Sequence, residues 1–189
     1  MSTSSSMSST ISIGVAGFSA AEDLIAAIYH RFVMLQPSFR EAGAGAATAS
    51  GSYTWFTLNL ASTNGLGSGL GAGNIVTYPA DGQQNVPTIF YSDQETPDPV
   101  ADRNEVGYPV SVHADITSSL TVQSFTIAPR GGTALPARLL SSATDSNTAS
   151  SAAAIVPLAV LAAKTTYDVQ FTGIVDGVAV SRSWAFTTR

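Results

Sequence analysis

The chain has 189 residues, 44% of them apolar but only 11% charged, with a net charge of −5 and no cysteine. It is long enough to bury a core without covalent staples, and the absence of thiols excludes disulfides, thiolate catalysis and Cys-based zinc sites. Eight Lys and Arg, spread from Arg31 to Arg189, form no basic cluster of the kind a phosphate backbone requires, which argues against nucleic acid as a partner.

The chain opens with "MSTSSSMSSTISIGVAGF", a short apolar stretch with no Lys or Arg ahead of it. That is not the pattern of a signal peptide, and residues 1–18 are expected to be a flexible leader. Ser19 followed by Glu22 is a capping-box pattern that starts a helix. Leu24, Ile28, Phe32 and Leu35 recur at helical spacing, with Ile25 and Tyr29 widening the stripe. Pro37 ends the element, so the helix is placed at about 19–35. A hairpin follows: "EAGAGAAT" at 41–48, a turn in "ASGS", and "YTWFTLNL" at 53–60. In its second strand Tyr53, Trp55 and Thr57 face one side, and Thr54, Phe56, Leu58 and Leu60 the other.

Residues 62–74, "STNGLGSGLGAGN", are glycine-rich and read as a linker. Their GxGxxG spacing is imperfect, and they do not join a buried strand to a helix, so a nucleotide cradle is not indicated. From Asn74 onward the signals are all β. "PADG" at 79–82 is a turn, about seven short strands follow, and Asp176-Gly177 marks a hairpin between the last two. This spacing predicts an antiparallel β-sandwich over 75–189. The fold class is therefore mainly β, an Ig-like sandwich preceded by a helix and a β-hairpin. No apolar run approaches the ~20 residues that span a bilayer.

Two stretches resemble known families. "YHRFVMLQPSFREAGAG" is similar to the late segment of bacterial CAP-domain (SCP-like) secreted proteins, with Tyr29, His30, Arg31, Leu35, Pro37, Gly43 and Gly45 on the pattern. "YPADGQQNVP" and "TTYDVQFTGIVDGVAVSRSWAFTT" resemble bacterial Ig-like modules that follow such domains. The resemblance implies a partial CAP-like helix and hairpin at 19–61, a linker at 62–74 and an Ig-like domain at 75–189. It implies secretion to an extracellular setting. In the CAP family two histidines and two acids surround a central cavity, and His30 matches the later histidine. The 18 residues ahead of the helix are too few to supply the earlier His and its Glu. A zinc site needs three or four ligands, so His30 is expected to be a hydrogen-bonded structural histidine at a helix end.

Three further groups could carry function. Asp93, Glu95, Asp98 and Asp102, with Glu105, crowd one loop and could hold Ca²⁺, although Pro97 and Pro99 stiffen it and no EF-hand pattern is present. No other cofactor is indicated. Asp115 follows His113 by two residues on one strand face. Without a G-x-S-x-G elbow this pair does not suggest a triad, and a cross-strand hydrogen-bonded pair on the sandwich surface is expected. Tyr53 and Trp55 could form an aromatic surface for sugars or peptides, although packing inside the fold is the simpler role. Trp184 is expected inside the sandwich.

The apolar faces of the helix and hairpin need cover from the sandwich or from another chain. Together these features suggest a non-catalytic binding or adhesion-type module for a protein or cell-surface ligand. One alternative is a self-assembling subunit of a surface layer or filament, a homo-oligomer through the helix and hairpin. Another is a CAP-type hydrolase or lipid binder that draws its missing half from elsewhere.

Overall fold

The structure, a computed structural model, describes residues 7–14, 19–49, 53–63 and 65–189, with side chains for 21–48, 55–63 and 65–189. It is mainly β. Strand β1 (Met7–Gly14) precedes two short helices, α1 (Ser19–Ala26) and α2 (Ile28–Met34). β2 (Glu41–Ala49) and β3 (Tyr53–Ser62) form the hairpin. Nine strands follow: β4 (Val76–Tyr78), β5 (Ile89–Tyr91), β6 (Glu105–Gly107), β7 (Val110–His113), β8 (Leu120–Pro129), β9 (Ala137–Ser141), β10 (Ala152–Pro157), β11 (Thr166–Val175) and β12 (Val178–Thr187).

Two sheets face each other to make the sandwich, one ordered β4-β7-β10-β9 and the other β12-β11-β8. Every neighbouring pair is antiparallel. The alternation in β11 and β12 works as the sequence indicates. Val169, Phe171, Val180, Trp184 and Phe186 point inward, against Val110, Val112, Ala153 and Ile155 of the opposite sheet. The DG turn carries Asp176 at φ 51° and Gly177 at φ 80°, the conformation a two-residue hairpin demands.

β10 departs from simple alternation, because every one of its six residues is buried. Ala153 and Ile155 face the sandwich interior, while Ala152, Ala154 and Val156 pack with Ile28, Phe32, Phe90, Val100 and Val106. The outer face of this sheet is therefore covered by α2 and by the β5–β6 ribbon, which adds a third layer. Leu24 and Ile28 are wholly buried. Of the two ways to cover the helix stripe, the structure uses the sandwich.

The N-terminal sheet has the order β1-β3-β2. Residues 7–14, expected as part of a flexible leader, instead pair with β3 along its whole length, from Met7 opposite Ser62 to Gly14 opposite Trp55. Their polar-apolar alternation, "SSTISI", is a strand period that the absence of flanking turn signals obscured. The helix expected at 19–35 is two helices. Ala27 between them is extended at φ −65° and ψ 115°.

The glycine-rich stretch forms no element, but it is held. Asp115, 8% exposed, accepts hydrogen bonds from Leu70 N–H and Gly71 N–H at 2.8 Å. Gly69, at φ 63°, passes so close to this carboxylate that a Cβ would collide with it.

Because α2 seals the outer face of β10, the helix and the sandwich should unfold together. Ile28→Ala is expected to lower stability by about 2–5 kcal/mol, with backbone circular dichroism and aromatic signals moving in one transition. Separate transitions would show that the helix is an appendage.

Candidate functional site

α2 has no side-chain cap of its own. Its first amides would be orphaned at a buried seam, and a carboxylate from 65 or more residues away meets them. Glu95, 2% exposed, accepts hydrogen bonds from Ile28 N–H at 2.8 Å, Tyr29 N–H at 2.7 Å and His30 N–H at 3.3 Å. The His30 ring closes on the same carboxylate, Nδ1 to Oε1 at 3.1 Å. A buried anion at a helix N-terminus is favoured both by the amides and by the dipole they create.

One residue further on, Arg31 does the opposite at the end of α1. Its side chain is completely buried. Nε donates to Ile25 O at 2.5 Å and Nη2 to Ala26 O at 3.4 Å, which caps the last carbonyls of α1. Nη1 reaches across to Pro109 O at 2.6 Å and to Ser111 Oγ at 3.5 Å. The rings of Tyr78 and Tyr108 lie 4.8 and 4.9 Å from the guanidinium carbon, a cation–π arrangement that strengthens out of water. Burial pushes the Arg31 pKa down, while the tyrosines and Glu95 oppose that shift. The guanidinium stays charged. Burial raises Tyr108 to about 12.

His113 lies next to this cluster. It is 1% exposed, with Nε2 bonded to Ser111 Oγ at 2.9 Å and the Phe32 ring edge-on at 5.8 Å. Burial first, and the Arg31 charge second, lower its pKa from 6.5 to about 3. Its Nδ1 is buried without a partner among the described residues. The expected surface pairing of His113 with Asp115 does not occur. α2 covers this face of the sheet, and Asp115 turns to the glycine-rich segment instead.

The acidic loop is dispersed rather than gathered. Glu95 is the helix cap. Asp98 accepts hydrogen bonds from Ser92 Oγ and, at 2.8 Å, from Val100 N–H. Asp102 lies between Arg103 and Arg138, at 3.7 and 3.3 Å. Asp93 uses its N–H on Asn104 Oδ1. Among the described residues no three His, Cys, Asp or Glu side chains come together as a metal-ligating set. Trp55 is 53% exposed, whereas Trp184 is 6% exposed and lies inside the sandwich as expected. Tyr53 begins β3, and its side chain lies outside the described set. Among the described residues no helix is long and apolar enough to cross a membrane.

Chemically, Glu95 fixes the His30 ring through Nδ1. A base oriented in this way still needs a reacting partner, and the described residues around it supply structure instead. Arg31, which the CAP-like pattern includes without implying this junction, carries the seam. The signal was present: it follows Leu24 by seven residues and Ile28 by three, which puts a cation on the apolar stripe.

Glu95→Gln keeps the shape but removes the charge from the cap. It should lower stability by about 1–3 kcal/mol and speed hydrogen exchange at the Ile28 and Tyr29 amides. Unchanged exchange there would contradict the capping role. The pH dependence follows from His113. Between about pH 3 and 6.5 the unfolded chain binds a proton that the folded imidazole refuses. This contribution is therefore complete above 6.5 and is lost as pH falls toward 3, by at most about 1.4 kcal/mol per unit. His113→Gln should show a shallower loss of urea stability between pH 7 and 4.5 than the parent, and parallel curves would refute the assignment.

No protein-family model matches the chain, and no curated protein matches it either.

Proposed function

We propose that the chain is a non-catalytic extracellular binding or adhesion-type module of a CAP-related bacterial protein, and that its N-terminal sheet is the contact surface. The observation that carries this reading is β2. It is an edge strand of nine residues, "EAGAGAATA", paired among the described residues only with β3, and residues 41–48 are exposed along its length. Exposed edges are usually guarded by Lys, Pro or a bulge. β2 has neither residue and keeps an unbroken register with β3. A partner strand can add to such an edge through main-chain hydrogen bonds. On one face Ala42, Ala44 and Ala46 pair with Leu60, Leu58 and Phe56, and on the other Ala47 pairs with the exposed Trp55. Both histidines have structural partners, Glu95 for His30 and Ser111 for His113, which favours presentation over catalysis.

The same edge supports the second reading, a self-assembling subunit. A Gly/Ala-rich strand whose one charged residue, Glu41, stands at its start accepts a copy of itself as readily as a foreign strand.

Cosedimentation with cell-surface preparations tests the first reading. Retention of the parent, lost in Ala44→Lys and in Trp55→Ala at unchanged thermal stability, is the expected result. Equal retention of all three proteins, or no retention of the parent, would refute it. Light scattering during size exclusion separates the readings, because growth in mass with concentration that Ala44→Lys abolishes belongs to self-assembly alone.

A further inference from the structure

The connections after β8 and β10 line an open apolar pocket of about 470 Å³. Its walls are Pro129, Leu135, Leu158, Val160 and Tyr167, with Arg103 at the rim. Val160 is 43% exposed, so an apolar side chain stands at the mouth in contact with water. The volume falls within the range of small-molecule sites.

Polar atoms of the wall at Tyr167, Leu158 and Leu135 are already used. The buried Tyr167 hydroxyl accepts from Ala162 N–H at 2.8 Å. Leu158 N–H donates to Pro136 O at 2.9 Å, and Leu135 N–H to Ile127 O at 2.8 Å. A ligand body inside therefore meets hydrocarbon, and any polar group it carries would be left unpaired. The rim is different. Arg103 Nη1 donates to Leu158 O at 3.2 Å, which fixes the guanidinium over the opening. Its Nε lies 3.7 Å from Asp102, and Asp102 also takes Arg138 at 3.3 Å. Two guanidinium groups share one carboxylate, so this rim keeps an excess positive charge on a chain whose net charge is −5. Arg103 Nη2 has no hydrogen-bond partner among the described residues.

We propose that this pocket binds a small amphiphilic monocarboxylate, its apolar body against Leu135, Leu158 and Val160 and its carboxylate on Arg103. Charge complementarity selects the anion, since a guanidinium with a free edge is matched to a carboxylate. The walls select an aliphatic body, because a polar one would lose its hydrogen bonds to water against Leu135, Leu158 and Val160. The site stands whether or not the N-terminal sheet engages a partner.

Methyl-resolved NMR titration of the full chain with sodium octanoate tests the assignment. Saturable shifts are expected at the methyls of Leu135, Leu158 and Val160. Hexanoate should bind about tenfold more weakly for its two missing methylenes, and octylamine should not bind. Arg103→Gln, at an exposed position, should weaken octanoate about tenfold and leave octan-1-ol unchanged. Val160→Trp should abolish binding of both, with thermal unfolding as the control for folding. Failure of octanoate to shift these methyls at millimolar concentration overturns the proposal. So does a response confined to other residues, octylamine binding equal to octanoate, or octanoate affinity unaltered in Arg103→Gln.

Discussion

A guanidinium taken wholly out of water must find acceptors for its N–H groups, and Arg31 finds them only at one junction. Two belong to the end of α1, through Ile25 O and Ala26 O, and two to the sandwich, through Pro109 O and Ser111 Oγ. Tyr78 and Tyr108 cover its faces. One side chain thus caps a helix and joins that helix to a sheet. Glu95 completes the junction from the other side, with its carboxylate on the first amides of α2. The break at Ala27 follows from this division. The carbonyls that a continuous helix would use internally go to Arg31, and the amides go to Glu95.

Such a junction limits where the helix can sit. A stripe of Leu24, Ile28 and Phe32 alone could slide along an apolar sheet at small cost. Once Arg31 and Glu95 are fixed, a slip of one residue strands a buried charge, a penalty of several kcal/mol. The sheet beneath is built to match. Ala152, Ala153 and Ala154 keep β10 thin, so that α2 on one side and the β11–β12 sheet on the other both approach closely. Ser111 and His113 alternate with Val110 and Val112 on β7 and supply the polar side of the seam.

The sandwich was legible because its strands alternate and its turns are marked by Pro, Asp and Gly, which are local signals. The helix boundaries were also local, near Ser19 and Pro37. What escaped were groups defined by contact at long range. Glu95 in "SDQETPDP" looks like any other solvated acid, and nothing near it in sequence announces a helix terminus 65 residues earlier. His113 looks exposed from its strand alternation, because alternation reports two faces and cannot say that both are covered. β1 was obscured by its run of Ser and Thr, a composition shared by loops, and its pairing with β3 fixes its state. Trp55 and Trp184 carry the same residue type on similar strand patterns. They part company only because one sheet has a second sheet over it.

The contrast between the two parts of the chain bears on where function resides. Around the sandwich the buried charged groups are matched: Arg31 to carbonyls, Glu95 to amides, Asp115 to the glycine-rich segment. These charged groups are held by structural partners, Glu95 with the His30 ring among them. The N-terminal sheet has the reverse character. Its strand β2 keeps an outer main-chain edge, small side chains and no basic residue, features that add little to folding stability and make close approach by another strand easy. The proposed contact through β2 would draw on this contrast, because the chain runs from the Arg31 junction in α2 into β2 with only a short connection between them.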